Sequence, residues 1–498
     1  ASGTVSVENA QTGTLDGAVV NTNGATVTGN VEADTAASLT GGSVSGNVNV
    51  TDGAATITGT EITGTVQAGS VEMTGGKADD VTALSGNATI DGAAVVGDVT
   101  AAAGTATIIG SVADTVNAKD VVLNNAVTET VTATDSASIT GGTVAGDVKA
   151  DTVTMDGATI TQNVIAGTSA TLTGGSVGAD VTVSGDNGIA SISGTVVSGN
   201  VTADYVQTQG ADIKGEISIG KGASFIGCTV TDDVVVNDGD VLADGTTFEG
   251  SVSADDVTIK DGVAGDITAD EIATVIGSSV GDVSGATVVI KESESGNVTS
   301  TGGATVVDST VNGNVNAKTD SSIMGGSVSG NVVISDGVAT ITGTEIAGTV
   351  NADSVDMTGG KAGNVTADNG DATIDGGAVV GDVTATNKAT LDNATAGTVS
   401  AKDVALNSAT TGAVTATDTA TISGGSVSGD VTATTATITG AEIAGNVEAT
   451  TADITGGKAG NVTATDATID GGAVVGNVTA ANKATLDNAT AGTVSAKD

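Results

Sequence analysis

The chain has 498 residues, with 75 glycines, no proline, no histidine and no tryptophan, and aromatic residues make up only 1% of it, which excludes a globular core built on large rings. Fourteen basic against 59 acidic residues give a net charge of −45, which argues against nucleic acid or an anionic membrane as partner and leaves cations, basic partners or a saline medium. No apolar run approaches the roughly 18 residues of a membrane span, yet 39% hydrophobic residues, regularly placed, are too many for a disordered low-complexity chain.

Residues 1–30 hold two strand-like runs, Thr4-Val5-Ser6-Val7 and Ala18-Val19-Val20-Asn21, which fall outside the spacing that follows. They are predicted to form an irregular N-terminal coil, a cap or an assembly strand. A start at Ala1 rather than Met suggests a removed leader or a fragment.

From residue 31 to residue 498 one pattern repeats. An anchor, almost always valine, recurs at Val31, Val48, Val66, Val81, Val99 and onward to Val462, Val478 and Val494, 29 times at spacings of 15 to 20. Two residues before the anchor stands Gly in 23 of the 29 copies, and two after it stands Ala in 22. Four before it an apolar residue is common, as at Val44, Ile62, Val95, Val144, Ile160, Val328, Ile346, Val427 and Ile443. Seven to eleven after it comes a larger one, such as Leu39, Ile57, Met73, Phe225, Ile341 or Ile438. A period of two means strand. Gly-Gly pairs such as Gly41-Gly42, Gly141-Gly142, Gly376-Gly377 and Gly471-Gly472 supply corners with positive φ. Each copy reads as one long strand with a glycine bend, a short turn, a second strand and a tight corner.

No segment has a 3.6-residue period. The same rows recurring once per coil fit strands stacked parallel, with files of Val, Gly, Ala and Ile inside. The predicted fold is therefore all-β, a parallel β-helix or β-solenoid of about 29 coils. The wandering coil length favours the right-handed form. At about 4.8 Å per coil the rod would be roughly 140 Å long.

Longer repeats lie on top. Residues 387–403 recur identically as 482–498, an offset of 95, and residues 41–102 resemble 325–386. The segment near 185–300 diverges most and holds Tyr205, Phe225, Cys228 and Phe248. Cys228 stands where other copies have Gly or Ala and reads as a small corner residue. The second copy stops at Asp498 in mid-coil, so the expectation is that the polypeptide continues or that this end docks on another subunit.

The units Val427-Ser428-Gly429-Asp430-Val431-Thr432-Ala433 and Val474-Val475-Gly476-Asn477-Val478-Thr479-Ala480 resemble the bactofilin repeat. That resemblance implies a right-handed parallel β-helix of triangular section that polymerises end to end without nucleotide. The length, acidity and 95-residue duplications depart from that family. They resemble bacterial and archaeal surface proteins with β-solenoid stalks, such as surface-layer proteins and adhesin shafts.

The residues give little catalytic chemistry. Acidic neighbours Asp79-Asp80, Asp232-Asp233 and Asp255-Asp256 would point to opposite faces of a strand, and no catalytic residue is assigned. Gly215 to Lys221 matches the start of a phosphate-binding loop, but Gly222 follows and no helix does. Asp or Asn precedes the anchor in 20 of 29 copies. Stacked, these form either a metal-free Asn/Asp ladder or a site for Ca2+, with Asp98, Asp147, Asp266 and Asp430 as candidate ligands. Thr56-Ile57-Thr58, Thr171-Leu172-Thr173 and similar steps read as outward threonines. Asn200, Asn297, Asn364 and Asn477 open Asn-x-Thr sequons, glycan acceptors if the chain is extracellular.

The expected role is a non-enzymatic extracellular or cell-surface structural protein that self-assembles head to tail through Val5 and Val7 at one end and Val494 and Ala496 at the other, without nucleic acid or membrane insertion. The alternatives are a bactofilin-like cytoskeletal filament and an adhesin shaft whose binding head lies outside this chain.

Overall fold

In the computed structural model the described residues are 3–92, 94–95, 97–376, 378–379, 381–471, 473–474 and 476–498, without the side chains of 94–95, 378–379 and 473–474. Of the positions named above, Ala1, Gly377, Gly472, Val475 and the side chains of Val95 and Val474 lie outside this description. The chain is an all-β parallel β-solenoid of about 30 turns, and no helix occurs among the described residues. It divides into two compact units, Ala1–Asp255 and Asp256–Asp498.

One coil of the second unit shows how the sequence builds the fold. Val431–Thr439 is a nine-residue strand in which Val431, Ala433, Ala436 and Ile438 point inward. Gly440 then turns the chain at φ 65°, where a side chain would be strained. Buried Ala441 follows, then the two-residue strand Glu442–Ile443 with Ile443 inside. A bend through Ala444, Gly445 and Asn446 leads to the next anchor, Val447. Strand pairing is parallel and joins like to like: Val431 to Val447 to Val462, Ala433 to Ala449 to Ala464, Ile438 to Ile454 to Ile469.

The first unit obeys the same rule, with Val31 beside Val48 and Leu39 beside Ile57. Its stack runs further back than the valine anchors. Leu15 takes the anchor place opposite Val31, Val27 pairs with Val44, and Thr4–Glu8 pairs with Val19–Asn23. Of the 29 anchors, 28 are no more than 1% exposed, so the anchor row is the spine of the core. The two phenylalanine rings, Phe225 and Phe248, meet inside the first unit edge to face at 5.2 Å.

Two details of the expected coil are corrected. The expected glycine bend is present, but it divides two strands and is not an interior file: Gly429 lies half-exposed in it, so a corner separates Val427 from Val431. The turn expected between the anchor and the larger apolar residue is in many coils no break at all, as Val431–Thr439 shows. Each coil thus has a short side and a long one that absorbs length variation as register shifts, such as that between Ala101 and Thr105. Where Asp114 or Glu129 replaces the corner glycine, the strand runs through, as Val112–Asn124 and Val127–Thr140.

Candidate functional site

The corner before each anchor carries the most regular chemistry of the chain. The residue preceding the anchor is usually Asn or Asp, and its Oδ1 accepts a hydrogen bond from the backbone N–H of the same position one coil on. In the first unit Asn163 donates to Asp147 at 3.1 Å, Asp180 to Asn163 at 3.1 Å, Asn200 to Asp180 at 2.8 Å and Glu216 to Asn200 at 2.9 Å. In the second unit the run from Asp266 through Asp282, Asn297, Asn314 and Asn331 to Thr349 has donor–acceptor distances of 2.8, 2.7, 2.9, 2.8 and 2.8 Å. A third run passes from Asp430 through Asn446, Asn461 and Asn477 to Thr493. Corner amides that lie between strand ladders are thereby satisfied, which is what a bend exposed on every coil requires.

The ladder also explains many glycines of that row. A β-carbon on Gly313 would stand 2.3 Å from Asn297 Oδ1, and one on Gly476 would stand 2.4 Å from Asn461 Oδ1. The side-chain oxygen of one coil fills the space that a side chain two before the next anchor would need. Gly and Asn/Asp are thus two halves of one contact.

Electrostatically the ladder mixes amides with carboxylates. At Asp382 and Asp233 the donors favour the ionised form. The Thr398 hydroxyl, then its N–H, hold the Asp382 carboxyl below the usual range, and the Ser251 N–H and hydroxyl do the same for Asp233. The four candidate calcium ligands sit as separate rungs: Asp98 accepts from Thr115, Asp147 from Asn163, Asp266 from Asp282 and Asp430 from Asn446. Among the described residues no three His, Cys, Asp or Glu come together to hold a metal ion. The sequon residues Asn200, Asn297, Asn364 and Asn477 are rungs as well, each accepting through Oδ1.

The remaining candidates are placed as follows. Asp80 Oδ1 accepts from Asp98, and Asp232 Oδ1 from Asp233, so both serve corners. In the stretch that matches a phosphate loop, Ile217–Ile226 is a strand, and Lys221 pairs with Asp204 at 3.0 Å. Cys228 is a buried corner residue whose thiol donates to Thr208 Oγ1 at 3.0 Å. Val5 and Val7 are half-buried on the first described strand, opposite Val20 and Thr22. Val494 pairs with Val478 and is 45% exposed, and Ala496 is exposed. Among the described residues no helix is long and apolar enough to cross a membrane.

Comparison with protein-family models, with curated proteins and with solved structures gave no match. The likeness to bactofilins is carried by the repeat motif alone.

Proposed function

We propose that this chain is a non-enzymatic structural protein of the cell surface, whose coils associate end to end into an extracellular fibre or layer. The observation that supports this is the sameness of the stacking surfaces. Each coil meets the next through parallel, in-register pairing of like residues, and the Asn/Asp rung of one coil caps the corner amide of another. A coil of a second copy presents the same donors, acceptors and rung, so contact between copies needs no separate interface. Such a contact is heterologous and extends without closing. With −45 charges on each copy, association is opposed at low salt and favoured by screening or by divalent cations.

The test is sedimentation velocity of the purified chain at low and physiological salt, with and without calcium. Beside it runs a Val5→Lys/Val7→Lys variant, which places charge on the edge strand. The expected result is salt-promoted oligomers of open-ended size that the variant does not form. A wild-type chain that stays monomeric at high concentration in salt and calcium would refute the proposal.

A further inference from the structure

One face of the first unit carries no charge over four consecutive coils. On the long side of each coil, alternate residues point outward in rows that run from coil to coil. Over four consecutive coils these rows hold Ser169, Thr171 and Thr173, then Ile189, Ser191 and Ser193, then Tyr205, Gln207 and Gln209, then Gly222, Ser224 and Ile226. None of these twelve positions is charged, in a chain with 59 acidic residues. Carboxylates return on both sides: Asp156 is in register with Thr173, and Asp240 and Asp244 with Gly222 and Ile226.

Between two of these rows lies a trough of about 320 Å³, lined by Thr171, Ser191, Ser193, Gln207, Gln209 and Ser224 among others. Beside it stands Tyr205, two residues before Gln207 on the same outward side and 37% exposed. Its register partner in the next coil is Gly222. Next to the ring, Lys221 Nζ is fixed by Asp204 at 3.0 Å and by Asn187 Oδ1 at 2.8 Å, and it lies 6.0 Å from the ring centroid. The ring is therefore held at a built edge.

We infer that this face binds an uncharged polysaccharide lying along the trough. The charge pattern selects the class. Asp156, Asp240 and Asp244 at the two ends repel an anionic polymer, and the trough offers no carboxylate to a cationic one. Hydroxyl and amide side chains both donate and accept, as sugar hydroxyls do. An aromatic ring at the edge packs against the apolar face of a pyranose. Coils are about 4.8 Å apart, close to the length of one sugar in an extended glycan, so successive sugars meet successive coils. The contact is a property of the single chain and does not depend on its assembly.

The experiment uses the full chain and its own reporter. Tyr205 is the one tyrosine and there is no tryptophan, so tyrosine fluorescence reads this face alone. Emission is followed while cellohexaose, maltohexaose or hexagalacturonate is added. The expected result is a saturable change with at least one of the two neutral hexasaccharides and none with the charged one. Gln207→Glu, which puts a carboxylate in the trough at an exposed position, should weaken that binding by about tenfold or more. Tyr205→Ala should weaken it similarly by calorimetry. Thr340→Glu, at the corresponding outward position of the second unit, should leave it unchanged. The inference is overturned if neither neutral sugar gives a change, if hexagalacturonate gives the same one, or if Gln207→Glu binds as tightly as the parent chain. A change that follows protein concentration without sugar would assign the face to a second copy and would equally overturn it.

Discussion

Asp282 Oδ1 stands 2.2 Å from the place where a β-carbon on Gly296 would lie, and it accepts the N–H of Asn297 at 2.7 Å. The glycine is needed because the carboxylate is there. Gly296→Ala should displace the carboxylate from the amide and cost on the order of 1 kcal/mol, the worth of one such hydrogen bond. Asp282→Ala should cost a similar amount. The double variant should be less destabilised than the sum, since with Asp282 gone the added methyl has lost its main obstacle. Strict additivity in chemical denaturation would mean that the ladder does not set the glycine row.

This pairing marks the limit of what the sequence discloses. The anchor valines were legible because an inward strand position needs a β-branched apolar residue once per coil, and their spacing alone gave the stacked parallel strands. Gly429 was misplaced because its two-residue offset from Val431 looks like strand alternation. Only the folded chain shows that the neighbouring coil fills the space beside such a glycine, with Ala413 beside Gly429 and a side-chain oxygen beside Gly296 and Gly476. The neutral face around Gln207 escaped for another reason: its signal is a missing charge on residues 16 to 20 apart in sequence, which no local motif displays.

The inward file of alanines makes a second expectation. Ala449 stands half-buried in register between the buried Ala433 and Ala464, whereas Thr450 is exposed. Ala449→Leu forces a larger side chain into a narrow stack and should cost roughly 1–3 kcal/mol. Thr450→Leu should change stability little. Equal shifts in the melting temperature of the two variants would contradict the inward assignment.

Not every inward position is apolar. Thr411 is 2% exposed, pairs with Val427 on the short side of the coil, and its hydroxyl has no hydrogen-bond partner among the described residues. A buried hydroxyl without a partner is unfavourable. Thr411→Val keeps the shape, restores the apolar file and should stabilise by about 1 kcal/mol. A denaturation midpoint lower than that of the parent chain would show that the hydroxyl is satisfied in solution.

Acid should act on particular rungs. The bonds from Ser251 hold the Asp233 carboxyl below its ordinary value in the folded chain. For a depressed carboxyl the stabilisation is present above the unfolded-state pKa and is lost as pH falls through the folded one. Asp233→Asn keeps an oxygen acceptor for the Ser251 amide but cannot titrate. Relative to the parent, the variant should gain stability as pH drops below the ordinary carboxylate range. Using the difference between the two chains cancels the general relief of repulsion that acid brings to so acidic a protein. A difference that is flat with pH would rule out a role for this carboxylate in the acid response.

Like charges also stack directly. Asp375 and Asp392 are register partners on adjacent coils of the second unit. At a strand spacing of about 4.8 Å, two unit charges repel by about 0.9 kcal/mol in a water-like dielectric. Asp392 has a compensating contact, since Asn407 Nδ2 donates to its Oδ1 at 3.0 Å, so the simpler change is at Asp375. At low ionic strength Asp375→Asn should stabilise by up to about 0.9 kcal/mol, and Asp375→Lys, which replaces repulsion by attraction, should stabilise more. In about 1 M salt the screening length falls to about 3 Å, shorter than the spacing, and the three chains should converge. The order Lys, Asn, Asp at low salt and its collapse at high salt together identify a Coulombic origin. A gain that persists undiminished in high salt would point instead to strand propensity or packing, and the acidic rows would then have no electrostatic bearing on the stability of the coil stack.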